Sequence, residues 1–115
     1  MKKVYYLKTC DTCRRILNEV NTDGFELQEI KSNPVTAEQL EQMFTLSNSY
    51  EALFNKRARL YKSKDLKNKS LTEEDYKKYI LEEYTFLKRP VFIVEKEIFI
   101  GNSKKVIDNL KEKVN

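Results

Sequence analysis

Val4-Tyr5-Tyr6-Leu7-Lys8-Thr9-Cys10-Asp11-Thr12-Cys13-Arg14-Arg15 reads as a short apolar strand running directly into Cys-x-x-Cys, and the chain holds no other cysteine. Two thiols three residues apart at the start of a helix can close into a disulfide and reopen. The unpaired N–H groups of a helix N-terminus favour a thiolate, so the first thiol is expected to have a lowered pKa. Arg14 and Arg15 add positive charge nearby, although their position in the helix can turn them away from the sulfur. Cys10 is therefore the expected nucleophile, and Cys13 the thiol that resolves whatever Cys10 attacks.

Other uses of a cysteine pair fit the composition poorly. A zinc site normally takes four Cys, His or carboxylate ligands, and this chain has two cysteines and no histidine. A structural disulfide belongs to oxidising compartments. Here the chain is lysine-rich, and the apolar stretch after Met1-Lys2-Lys3 is shorter than the roughly 7–15 residues of a signal-peptide core. The expectation is a cytoplasmic protein in which the pair is catalytic or sensing.

The 115 residues suffice for one domain with its own core, and 40% apolar with 11% aromatic residues fits a globular chain. Two glycines and two prolines leave little room for linkers, and no apolar stretch is long enough to span a membrane. The net charge of +4 is carried by Lys and Arg mixed with Asp and Glu along the chain. Mixed charge reads as a solvated surface, so no direct nucleic-acid contact is expected, though the excess favours anionic small substrates.

Working outward, residues 3–7 read as a buried strand and 11–21 as a helix, with Ile16, Leu17 and Val20 following Cys13 at helical spacing. Asp23-Gly24 turns the chain, and residues 25–30 alternate apolar with polar as a half-buried strand does. Strand, helix, strand in so short a span predicts a βαβ unit with parallel strands. Thr36-Ala37-Glu38-Gln39 is a capping-box pattern opening a helix with Leu40, Met43 and Phe44, and Ser49 caps a short helix with Ala52, Leu53 and Phe54. A Lys-rich connection, Lys62 to Lys69, leads to a helix opened by Thr72-Glu73-Glu74-Asp75, whose Tyr76, Tyr79, Ile80 and Tyr84 read as a packing face. Val91–Val94 and Ile98–Ile100 flank Glu95-Lys96-Glu97 as a hairpin, and Asn102 or Ser103 caps a last helix with Val106, Ile107 and Leu110. The order βαβ, helical block, ββα is the thioredoxin plan: one α/β domain over 1–115 with a mixed four-stranded sheet and a helical insertion at about 35–87.

In this order the chain resembles the arsenate reductase ArsC/Spx family. The resemblance rests on Cys10-Asp11-Thr12-Cys13-Arg14, Leu53-Phe54-Asn55-Lys56-Arg57, Leu87-Lys88-Arg89-Pro90 before the hairpin, and Ile100-Gly101 before the last helix. It implies a cis peptide bond at Arg89-Pro90. It also implies that Cys10 is the nucleophile, that Arg89 holds an oxyanion or a sulfur adduct over it, and that Thr12 and Arg14 lie where the reductases bind the oxyanion. A thiolate approaching an arsenate-like anion needs backbone N–H groups and a guanidinium to neutralise the gathering charge.

The chain also departs from the family pattern. Glutaredoxin-coupled arsenate reductases use three arginines, and the first and last of these positions fall at Asn55 and near Gly101 here. Those enzymes also carry serine where this chain has Cys13. The second thiol favours a self-resolving cycle in which no cofactor is bound and glutathione, thioredoxin or glutaredoxin regenerates the pair as co-substrate. Spx-type regulators, by resemblance, use the same Cys-x-x-Cys as a redox switch and bind the C-terminal domain of the RNA polymerase α subunit. Cys10, Cys13, Arg57 and Arg89 match that branch too, but the glycine it presents to the polymerase aligns with Ser49. The leading expectation is thus a thiol-dependent reductase, with a redox-sensing regulator as the alternative and an interaction module locked by its disulfide as a third.

Overall fold

The computed structural model describes all residues from Met1 to Asn115. Strand β1 (Lys2–Tyr6) alternates its side chains, so that Lys3 and Tyr5 share one face and Val4 and Tyr6 the other. Val4 joins Ile16, Val20, Phe92, Val94, Ile107 and Leu110 in one buried cluster. Helix α1 (Asp11–Glu19) begins at Cys10, its N-cap, and supplies Ile16 to that cluster. It stops short of residue 21 because Val20 leaves the helix in an extended conformation, and the Val20 side chain remains in the core. Gly24, at φ +82°, then turns the chain into β2 (Glu26–Glu29).

Strands β1 and β2 pair in parallel, with Val4 opposite Leu27 and Tyr6 opposite Glu29. Strand β3 (Val91–Val94) lies antiparallel on the other side of β1 and pairs with β4 (Glu97–Ile100), giving the order β2-β1-β3-β4. This is the mixed four-stranded α/β sheet expected of a thioredoxin-like fold. The hairpin turn is tighter than expected, because Glu97 already pairs with Val94 and only Glu95 and Lys96 remain in the loop.

By compactness the chain divides into two units, Met1–Asn33 with Arg89–Asn115, and Pro34–Lys88. The first holds the sheet, α1 and the final helix (Lys104–Val114), which Ser103 caps by accepting from Val106 N–H at 3.3 Å. The second is helical. In order its helices are α2 (Ala37–Ser47), α3 (Tyr50–Leu53), α4 (Arg59–Ser63) and α5 (Glu73–Glu82); the final helix is thus α6. Residues 62–69 are not a plain connection. The end of α4 and a 3-10 turn over Leu66–Asn68 lie there, held by the buried Leu66, a residue hidden among lysines in the sequence.

Two of the expected helix starts in this unit close as capping boxes, Thr36 with Gln39 and Thr72 with Asp75. Helix α3 has only four residues, and borrowed acceptors hold its start: the Glu73 carboxylate takes the Tyr50 and Glu51 N–H groups at 2.8 and 3.1 Å, and Ser49 Oγ takes Ala52 N–H at 3.0 Å. Phe54 anchors the unit's aromatic core, stacked on Phe86 at 4.9 Å and tilted against Tyr76 at 4.9 Å. Tyr76 and Ile80 are buried on α5, as a packing face requires, whereas Tyr84 falls beyond the helix in a second 3-10 turn over Tyr84–Phe86.

Candidate functional site

After Tyr6 the chain leaves the sheet through the turn Leu7-Lys8-Thr9-Cys10, closed by Cys10 N–H donating to Leu7 C=O at 3.1 Å. Cys10 thus stands at the mouth of α1 in extended conformation, partly exposed, with its own carbonyl accepting from Arg14 N–H at 3.1 Å. Cys13, one turn on, is wholly buried, and both thiols are free. One turn of helix therefore makes two different sulfurs, one accessible and one packed in the core.

Their acidities diverge for the same reason. Partial burial works against a thiolate at Cys10, but the Cys13 N–H and thiol, the Arg89 guanidinium and the Thr12 N–H outweigh it and bring Cys10 below the ordinary thiol value. The sulfur closes no capping hydrogen bond of ordinary geometry. It is the aim of these N–H dipoles that favours the charge. Burial pushes Cys13 up to about 12, against a hydrogen bond with the Leu7 backbone, and the negative charge of Cys10 raises it further. Arg89 pulls both thiols down.

Arg89 enters this neighbourhood at the start of β3, through an Arg89-Pro90 peptide bond that is cis. Pro90 C=O accepts from Gly101 N–H at 2.9 Å, and Arg89 C=O accepts from Asn102 Nδ2 at 3.3 Å. Gly101 has φ +85°, so a side chain there would meet backbone strain. Cys13, Arg89 and the Thr12 N–H all act on Cys10, and Arg89 acts on Cys13 as well. The Arg14 side chain pairs with Asp11 at the exposed start of α1, and Arg15 pairs with Glu19 at 3.2 Å.

The two other positions that resemblance singled out carry structural work. Asn55 donates from Nδ2 to Thr85 C=O at 3.2 Å and accepts from Arg57 N–H at 3.0 Å, bracing the strand-like bridge between Phe54 and Leu87. Ser49 is the cap of α3 at φ −159°, extended backbone that any residue adopts. Sequence reading passed over Glu29, whose carboxylate gathers four donors: Lys8 N–H from the turn that carries Cys10, and Lys31 N–H, Ser32 N–H and Ser32 Oγ from the turn after β2. The Lys-rich stretch noted at Lys62 to Lys69 extends back to Arg57: Arg57, Arg59, Lys62, Lys64, Lys67 and Lys69 are all exposed, with Asp65 the single acid among them.

Residues 5–110 match the ArsC family. The chain belongs to that family. Among characterised proteins it is similar to the global transcriptional regulator Spx 1 of Bacillus cereus, 25% identical over 104 residues that span 88% of this chain and 79% of that protein. Among solved structures it superposes on an ArsC-family-related protein from Bacteroides fragilis with a TM-score of 0.80 at 23% identity, covering 96% of this chain and 97% of that one. An arsenate reductase from Vibrio cholerae gives a TM-score of 0.77 at 15% identity, covering 96% and 95%. At these identities the structural likenesses establish the fold. No helix is long and apolar enough to cross a membrane.

Proposed function

We propose that this ArsC-family chain is a thiol–disulfide redox protein, a thiol-dependent reductase that works through Cys10 and Cys13. The observation that carries the reading is the divergence of the two thiols: an accessible Cys10 held below its ordinary pKa beside a buried Cys13 pushed up to about 12. In the proposed cycle the Cys10 thiolate attacks the sulfur of a disulfide-linked substrate, forming a mixed disulfide and expelling the other half as a thiolate. Mixed-disulfide formation removes the Cys10 charge, which adds to burial in raising Cys13. Cys13 gives up its proton and attacks the Cys10 sulfur, and the bound half leaves as a second thiolate. The Cys10–Cys13 disulfide then holds the oxidising equivalent until glutathione, thioredoxin or glutaredoxin returns two electrons. Arg89 supplies the guanidinium that steadies an anionic substrate, and Thr12 contributes its N–H. The proposed setting is the cytoplasm, where such reductants are held reduced.

Trapping tests this directly. Oxidised glutathione should drive the wild-type protein to an internal disulfide, Cys13→Ser should accumulate one glutathione per chain on Cys10, and Cys10→Ser should do neither. A Cys10→Ser protein that reacts as fast as wild type would overturn the reading.

The likeness to Spx 1 supports a second reading, a redox-sensing regulator that binds the C-terminal domain of the RNA polymerase α subunit. The exposed cations from Arg57 to Lys69 offer an acidic partner a surface, and Ser49 stands where that branch has glycine. Oxidation-dependent capture of the polymerase domain by purified protein would decide for it.

A further inference from the structure

Sheet pairing of β1 ends at Tyr6, whose carbonyl accepts from Ile30 N–H at 2.9 Å. Four residues later the chain must present Cys10, and between them Lys8 and Thr9 are exposed. One contact ties this turn back to the sheet: Lys8 N–H donates to Glu29 Oε2 at 2.9 Å. Glu29 Oε1 is occupied from the opposite side by Lys31 N–H at 3.0 Å, Ser32 N–H at 2.8 Å and Ser32 Oγ at 2.9 Å. That side is itself a closed turn, with Asn33 N–H donating to Glu29 C=O at 3.0 Å. With Oε1 fixed by three donors, Oε2 has a defined direction, and it aims at Lys8. A strand-end glutamate would ordinarily keep its rotamer freedom in water. Here it is saturated by four donors, three of them backbone N–H groups.

We propose that Glu29 is a positioning residue for the reactive thiol, clamping the Leu7–Cys10 turn to the end of β2 so that the Cys10 sulfur stays against the N–H groups of α1. The proposal rests on the reading that Cys10 is the reacting thiol. The clamp acts through geometry. The Cys10 conformation, φ −90° and ψ 115°, decides where its sulfur lies relative to the Thr12 and Cys13 N–H groups, and that conformation is set by the turn. The carboxylate's charge would do the opposite, since a nearby negative charge disfavours a thiolate. The sign of the effect therefore separates the two. Donation from Lys8, Ser32 and Lys31, stronger together than the cost of burial, also holds the Glu29 carboxyl below its usual range and keeps the clamp charged.

Glu29→Gln is the sharp variant. Its carbonyl oxygen can keep the three donors of the Lys31–Ser32 side, which turns its NH2 group against Lys8 N–H, donor facing donor. Iodoacetamide labelling of Cys10 in the full-length reduced protein, followed by mass spectrometry across pH, is the readout. Glu29→Gln should slow labelling at pH 6.5 about three- to ten-fold and move the midpoint upward, while the plateau rate at high pH is unchanged. Ser32→Ala removes a donor from Oε1 and leaves the Lys8 contact, so its profile should match wild type. If Glu29→Gln fails to fold by circular dichroism, Glu29→Asp, too short to bridge both sides, is judged by the same criteria. An unchanged or lowered midpoint in the folded Glu29 variant overturns the clamp, as does equal slowing in Ser32→Ala. A wild-type Cys10 with no lowered midpoint would instead overturn the Cys10 reading, and the clamp with it.

Discussion

Replacing Cys13 should change how the protein tolerates alkali, and by an amount the structure sets. Cys13 is 0% exposed and its thiol is pushed up to about 12, whereas in the unfolded chain it titrates near the ordinary value of 9.0. Between these limits the unfolded state has lost a proton that the folded state retains. Stability contributed by the neutral thiol is therefore full below pH 9 and falls as pH rises, by about 1.4 kcal/mol per pH unit at most. At pH 10.5 the accumulated loss is about 2 kcal/mol. Cys10 has the opposite sign: with its folded pKa lowered, its contribution grows through the pH range below 9 and is constant above it. Tyr5, buried and raised to about 12 chiefly by desolvation and then by Glu26, begins to cost stability only above pH 10. Tyr76, also raised chiefly by burial, adds to the loss above pH 10, so the Cys13 share of the window is read from the difference between wild type and a Cys13 variant.

Cys13→Ser removes the titration while nearly conserving volume. Urea unfolding of wild type and variant, each fully reduced, should give curves of stability against pH that converge by about 1.5–2 kcal/mol between pH 9 and 10.5, whatever their offset at neutral pH. Parallel curves over that window would refute the claim that burial holds Cys13 protonated.

Iodoacetamide below pH 7 should label Cys10 in preference to Cys13, and equal rates at the two sulfurs by peptide mass spectrometry would contradict the assignment. Arg89→Ala should weaken binding of sulfate or a glutathione adduct about ten- to a hundred-fold, the loss of a charge-assisted contact worth roughly 1.5–3 kcal/mol, with unchanged calorimetric affinity counting against it. Asn55→Ala should lower stability by about 1–2 kcal/mol by denaturant titration, because it removes the hydrogen bonds to the Thr85 carbonyl and from the Arg57 N–H. Arsenate should turn over poorly with any thiol reductant, since by resemblance two anion-binding arginine positions fall at Asn55 and near Gly101, and rapid arsenite release would show that argument wrong.

Most of the fold was legible because its signals are local. The cap residues Thr36, Ser49, Thr72 and Ser103 all close the bonds their sequence contexts promise; a strand does form within 25–30, but its alternation misreads the faces, since Leu27 is exposed and Gln28 is buried. Leu66 was illegible because one buried leucine among lysines has no periodicity to reveal it, yet it organises a 3-10 turn. Lys3 was illegible for a similar reason. It is buried on a strand face, compensated by Glu26 at 3.0 Å and by the Tyr5 ring, partners that parallel pairing and alternation bring to it. In the site, the order of the two thiols follows from their place at the helix start, but the contribution of Glu29 depends on a parallel strand end meeting a turn more than twenty residues away in sequence. No motif announces that meeting.

The departures at Ser49, Asn55 and Gly101 take on a different meaning once their contacts are known. Each resemblance-based position is occupied here by a residue with its own structural duty: a helix cap, a two-sided amide brace, and a left-handed turn beside Pro90. Installing arginine at Asn55 would remove both hydrogen bonds of the brace, and installing it at Gly101 would force a side chain onto φ +85°, at a cost of about 1–2 kcal/mol. Restoring three arginines is therefore not a neutral graft onto this framework. What remains beside Arg89 is a second thiol that can complete the exchange within the chain. In the proposed cycle the charge to be stabilised is borne mainly by sulfur, at Cys10 and then at Cys13, and the Arg89 guanidinium lowers the pKa of both thiols.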